Sequence, residues 1–210
     1  MGHRALIAYE RPDELYNLHY THWGGLNLRL KTTLSPGTPY GETEPITGNR
    51  RAFGRFLEES TSESVSLVET DSQYADVDIT PLETRVTLEG ILSEHLDYEV
   101  HEALYVVNLD FDIEAYRTFA LGFGDFARSV DSSPRRGHGV VSTIRWYDGE
   151  PVGDAYIRGW FAGARELTGV MIDQDVFTER QATTFLVQRF LSKLRNQTSH
   201  VRRADQPTRA

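Results

Sequence analysis

GHRALIAYERPDELYNLHYTHWGG, residues 2–25, is the stretch on which the reading of the fold turns. Residues 3–10 and 15–22 are rich in apolar and aromatic residues in alternation, and Arg11-Pro12-Asp13-Glu14 lies between them. Proline pre-sets φ for a turn, and an aspartate beside it can bond nearby backbone. The stretch therefore predicts a β-hairpin. With Arg11 paired to Glu14, one face carries Ala5, Ile7, Tyr9, Tyr16, Leu18 and Tyr20, the core face by composition. The other carries Arg4, Leu6, Ala8, Glu10, Leu15, Asn17, His19 and Thr21. The same register sets His3 directly opposite His22. Side chains so paired lie about 4.5–5.5 Å apart at Cβ, close enough to share a divalent metal, a proton or a ligand anion. The plainer reading is that both are edge residues bonded locally. His19 and His22 fall on opposite faces of a regular strand, which removes them as a pair. Trp23-Gly24-Gly25 ends the hairpin, with Tyr20 and Trp23 as candidate ligand-contacting aromatics.

The run MGHRALIAYERPDELYNLHYTHWGGLNLRLK resembles the start of an uncharacterised protein family of halophilic archaea, some members of which are associated with their viruses. HLDYEVHEALYVVNLDFDIEAYRT, GHGVVSTIRWYDGEPVGD and MIDQDVFTERQA are similar to later segments of that family, so the resemblance covers most of residues 1–190. It implies no activity and transfers no catalytic residue.

Composition sets outer limits. A chain of 210 residues with 39% hydrophobic and 11% aromatic content suits one substantial core. With no cysteine there is no disulfide, thiol nucleophile or Cys-based zinc site. The net charge is −9, and Lys31 and Lys193 are the only lysines among 22 basic residues. An acidic, lysine-poor chain fits a high-salt cytoplasm, where screening shrinks to about 3 Å or less; a GC-rich genome is the competing explanation. The acidic balance argues against nonspecific nucleic-acid binding. No apolar run approaches the roughly 20 residues that span a bilayer, and no signal peptide opens the chain, so a cytoplasmic location is expected.

Along the chain, LNLRLKTTL (residues 26–34) fits a strand or a short helix, the helix being preferred. Residues 35–48 read as a loop and 49–60 as a helix capped by Asn49. Thr87 caps a helix to about Leu96. His101–Phe111 and Ile113–Phe123 form a strand pair joined by a tight turn, and Val140–Tyr147 a further strand closed by Asp148-Gly149. His95, Asp97, Glu99, His101 and Glu102 gather acids and histidines before the first of these strands, in no recognised ligand spacing. Pro134-Arg135-Arg136-Gly137-His138-Gly139 places an imidazole and two guanidiniums on a flexible loop, suited to anion binding or acid–base work. Asp154 opens a helix with Ile157, Trp160, Phe161, Ala164, Leu167 and Met171 inward, and Gly159 and Gly163 allow close packing on the sheet. Thr178-Glu179-Arg180-Gln181 is a capping box for a last helix. Residues 196–210 read as a disordered polar tail.

These readings predict a single α+β domain over 1–195. Its antiparallel sheet has about five strands, starts with the N-terminal hairpin and is covered by helices, two long ones at the C-terminus. There is no P-loop, GxGxxG, GxSxG, HExxH or calcium loop, and no cofactor is evident. The first functional reading is a non-enzymatic accessory or interaction protein with a protein partner, compatible with a homo-oligomer. The alternative is a hydrolase of phosphorylated or nucleic-acid substrates. In it, His3, His22 and His138 supply acid–base or metal functions, and Arg135, Arg136 or Arg145 hold an anion.

Overall fold

The computed structural model describes residues 2–41, 76–194 and 197–203. The helix expected at 49–60 and the loop beyond residue 41 lie outside them.

The opening hairpin forms, one residue out of the expected register. β1 (Ala5–Glu10) and β2 (Tyr16–Thr21) pair antiparallel from Ala5↔Thr21 to Glu10↔Tyr16. Arg11 N donates to Leu15 O at 2.8 Å, and Glu14 N to Arg11 O at 3.0 Å. Arg11 therefore closes on Leu15 around a three-residue loop, Pro12-Asp13-Glu14, whose last residue is left-handed at φ 60°. This is the hairpin loop in which a turn is followed by one left-handed residue. A slip of one residue moves every cross-strand partner. Ala5, Ile7 and Tyr9 consequently share a face with Thr21, His19 and Asn17, and Leu6 and Ala8 share the other with Tyr20 and Leu18. His3 is not opposite His22: the pairing, continued, sets Arg4 against His22 and His3 against Trp23.

The sheet has seven strands, ordered β3-β2-β1-β4-β5-β6-β9, rather than five. The added members are β3 (Glu83–Val86) and β9 (Ser199–Arg202), both at the ends of that order. Edge strands are bonded on one side and need no apolar alternation, which is why polar segments hold them and why Ser199–Arg202 read as tail. β1 runs parallel to β4 (Ala103–Val107), Ala5 level with Ala103, so the sheet is mixed, not purely antiparallel. β5 (Ile113–Ala120) follows β4 through Leu109-Asp110-Phe111; Phe111 is left-handed at φ 68°, repeating the first hairpin's loop. β6 (Gly139–Thr143) pairs antiparallel with β5 and β9. β7 (Arg145–Tyr147) and β8 (Glu150–Val152) form a separate hairpin on Asp148-Gly149, both at positive φ.

Two compact units divide the chain: residues 1–91 with 101–115, and 92–100 with 116–210. In the first, Leu6, Ile7, Tyr9, Leu18, Leu28, Leu30 and Tyr105 are fully buried. Each contributes about 1.5–3 kcal/mol by leaving water. Of the ambiguous residues 26–34, Leu30–Thr33 form one helical turn, α1, preceded by a tight turn in which Asn27 and Leu28 are left-handed at φ 50° and 53°. Thr87 caps α2 (Leu88–Gly90) by accepting from Gly90 N, and the helix continues as π-helical turns over Ile91–His95.

In the second unit, α3 (Asp154–Asp173) and α4 (Glu179–Lys193) supply Phe161 and Phe190 to a ring cluster with Phe119 of β5. The centroid distances there are 4.6–5.0 Å. The capping box forms: Gln181 N donates to Thr178 Oγ1, and Thr178 N to Gln181 Oε1. Gly153, at φ 80°, is the cap of α3, and Asp154 follows it as the first helical residue. Both oxygens of Asp154 are held by buried Arg117, at 2.9 and 2.6 Å. Leu167 is 64% exposed, and nothing lies within 4 Å of where a Cβ on Gly159 or Gly163 would be. Those three residues face solvent, not the sheet. Gly139 is required by contact: a Cβ there would lie 1.9 Å from the Tyr98 ring.

Candidate functional site

The open end of the first hairpin gathers His3, Tyr20, His22 and Trp23 with His101 and Glu102, all within the first unit. The parallel pairing of β1 and β4 brings this about. Ala103 lies level with Ala5, so Glu102, one residue earlier, reaches the start of β1, and its N donates to Arg4 O at 2.8 Å. Its carboxylate meets His3 Nδ1 at 3.0 Å with both oxygens. A carboxylate only accepts, so Nδ1 carries the proton in this contact. The Trp23 ring is 50% exposed. His3 lies 6.2 Å from it, and His22 lies edge-on at 4.9 Å. Tyr20 Oη and His22 Nδ1 are 3.2 Å apart, and the Tyr20 ring is 6.4 Å from that of His101. A Cβ on Gly2 would lie 2.4 Å from His22 Nε2, so the backbone there packs directly on the imidazole.

One face of the same hairpin carries a polar row that its composition did not reveal. Arg11, Asn17, His19 and Thr21 are 0–3% exposed. His19 Nδ1 donates to Asp78 O at 2.9 Å, and Thr21 Oγ1 to Asp76 O at 2.6 Å. The Tyr9 ring meets His19 edge-on at 5.3 Å, and Tyr40 lies 5.7 Å from it. Burial pushes the His19 imidazole down to about 4, against a smaller opposing effect of its bond to Asp78 O. A histidine that stays neutral and enclosed is a core element. Asn17, His19 and Thr21 were expected on the mixed face of the hairpin; Asp78 O and Asp76 O, in a polar stretch without periodicity, meet His19 and Thr21, and Arg11 donates to Asn17 Oδ1 at 3.2 Å.

The remaining candidates lie in the second unit. Arg135 meets Asp97 at 3.0 Å and Glu99 at 3.6 Å, and Arg165 meets Glu99 at 3.2 Å. The acids before β4 are thus divided among arginines and His3 instead of forming one ligand set. Arg136 is exposed and pairs through its backbone with Asp97. His138 is buried, 8% exposed, and lines a recess of about 200 Å³ with Pro134, Glu179, Arg180, Thr183 and Arg203. Arg145 lines a different recess. Among the described residues, no group of three or more His, Asp or Glu side chains could hold a metal ion. No helix among them is long and apolar enough to cross a membrane.

The sequence matches one family over residues 1–201. The chain belongs to DUF6735, a family of unknown function. No curated protein and no solved structure matches it significantly. For this DUF6735 chain the chemistry must therefore be argued from the side chains.

The hairpin end can act in two ways. Trp23 offers a large amphipathic surface, and its flanking imidazoles offer donors and acceptors. His3–Glu102 is also the orienting half of an acid–base arrangement, in which a carboxylate fixes the tautomer of a histidine. Among the described residues, the only hydroxyl bonded to His3 or His22 is that of Tyr20. Glu102 as the partner of His3 was hidden by its distance in sequence, since only the parallel β1–β4 pairing brings the two together.

Proposed function

We propose that this protein is a non-enzymatic accessory or interaction protein whose contact surface is the open end of the first hairpin. One observation carries the reading: Trp23 stands half-exposed, with the His22 ring edge-on at 4.9 Å and the His3 ring at 6.2 Å. A tryptophan held in place loses little freedom on binding, and such residues dominate the energy of protein interfaces. Leu26, 40% exposed and one short turn along, extends the apolar area.

The acidic, lysine-poor composition supports a salt-rich cytoplasm, that of a halophilic archaeon or of a cell infected by its virus. In molar salt, charge steering is largely screened. Recognition there rests on aromatic burial and short hydrogen bonds, which this surface offers. The test is affinity capture in molar KCl from the source organism, comparing the wild-type chain with Trp23→Ser. A protein retained by the wild type and lost from an equally stable variant supports the reading. An identical set of captured proteins contradicts it. A mass that doubles with concentration, and halves in Trp23→Ser, would identify the partner as a second copy.

The His3–Glu102 pair favours a second reading, a hydrolase of phosphorylated or nucleic-acid substrates. Here His3 Nε2 would take the proton from an attacking water while Glu102 holds the ring. Turnover of a phosphoester, abolished in His3→Gln and much reduced in Glu102→Gln, would establish it. Activity unchanged in both variants would exclude this site.

A further inference from the structure

A second recess, of about 220 Å³, lies within the second unit and is lined by Ile144, Arg145, Val152, Tyr156, Ile157, Lys193 and Gln197, with Gly153 at its edge. Its charge is out of character for this chain. Acids outnumber Lys and Arg by 31 to 22. Arg11, Arg29, Arg85, Arg117, Arg135 and Arg165 each meet a carboxylate. Among the described residues, Arg145 and Lys193 meet none, and no Asp or Glu lines the recess they share. The nearest acid in sequence, Asp154, has both oxygens on Arg117. Lys193 Nζ sits 5.6 Å from the Trp160 ring centre, a contact that steadies a cation without neutralising it. Gln197 uses its carbonyl oxygen, at 3.4 Å from Ser142 Oγ, and keeps its amide hydrogens for another acceptor. Ile144, Val152 and Ile157 supply the apolar part of the lining, Val152 as the cross-strand partner of Arg145.

We propose that this recess binds a small organic acid. Its carboxylate would lie on the Arg145 fork and the Lys193 ammonium, and its apolar body against Ile144, Val152 and Ile157. A guanidinium matches a carboxylate with two parallel bonds, and an ammonium adds a point charge. A volume below the roughly 300 Å³ of pockets that take drug-sized molecules suits a short aliphatic chain or one ring. The site is independent of the Trp23 surface, so each can fail without the other.

The test uses the full chain and four probes: benzoate, hexanoate, inorganic phosphate, and benzamide as the uncharged match to benzoate. Calorimetry measures affinity, and amide NMR shifts locate the site. Saturable binding of benzoate or hexanoate is expected, with shifts centred on Val152, Tyr156 and Ile157. Benzamide should bind about tenfold or more weakly than benzoate, and Arg145→Gln and Lys193→Gln should each weaken the acids by a similar factor. Both residues are exposed, and an unchanged melting temperature without ligand checks that the variants fold. The wild-type shift map stands even where a variant does not fold. Absence of saturable binding overturns the proposal, as do affinities unchanged in both folded variants, equal binding of benzamide, or shifts elsewhere. Binding of phosphate but of neither acid also overturns it, in favour of a bare oxyanion site.

Discussion

His19 and His22 lie on the same arm of one hairpin and end in opposite environments. His19 is fully enclosed, with its Nδ1 on Asp78 O and Tyr9 and Tyr40 packed on its ring. His22 is at the surface, touching Tyr20 and Trp23. Three residues apart on one arm, the two point to opposite faces, and on its face His19 is met by Asp78 O. Residues 76–78 lie along the end of β2, where Asp78 N donates to Tyr20 O and Asp76 O accepts from Thr21 Oγ1, while His22 just beyond stays exposed. The same residue type is thus a core element in one place and part of a recognition surface a few residues on.

Breaking the buried side should cost most. His19→Ala removes a packed ring and strands the Asp78 carbonyl, and is expected to destabilise the chain by about 2–4 kcal/mol. His22→Ala should stay within about 0.5 kcal/mol. Denaturant unfolding of the two variants compares them directly, and equal losses would erase the distinction.

Acid should act through the same residue. His19 is held at about 4 in the folded chain against its ordinary 6.5, so below 6.5 the unfolded chain binds the extra proton first. This contribution is complete above 6.5, falls as the pH is lowered, and is exhausted near 4. Its span is on the order of 3 kcal/mol. Unfolding midpoints across that window should fall for the wild type and flatten in His19→Gln. A parallel fall in both would assign the acid sensitivity elsewhere.

A smaller effect tests the register that places His19 inside. Glu14 sits at φ 60° in the three-residue loop. Glu14→Gly relieves that conformation and is expected to stabilise by about 1 kcal/mol or less. If Arg11 instead closed on Glu14 in a regular turn, glycine would destabilise by a similar amount. Thermal melts separate the two signs.

Much of the fold was legible where side chains carry a period or a cap. The opening hairpin, the pair of strands after His101, the cap at Thr87 and the capping box at Thr178 all appear. Register was not legible, because a three-residue loop with left-handed Glu14 carries no glycine to betray it. The identical device at Phe111 is equally silent. Strands β3 and β9 were invisible because polar residues suffice at an edge. Of the candidate residues, His3, Tyr20, His22 and Trp23 do gather, though around Trp23 and Glu102 rather than as a facing pair of histidines. Arg135 meets Asp97 and Glu99, partners that its place in sequence did not announce.

The hairpin mouth as a contact surface is tested most directly by a photo-crosslinking residue placed at exposed Leu26, whose N donates to Trp23 O. The control carries the same residue at Leu109, 52% exposed in the loop between β4 and β5. Irradiation in molar KCl with extract of the source organism should give one dominant protein adduct from position 26, absent from position 109 and lost when Trp23→Ser is added. Identical adducts from both positions, or an adduct from position 26 that survives Trp23→Ser, would contradict the account.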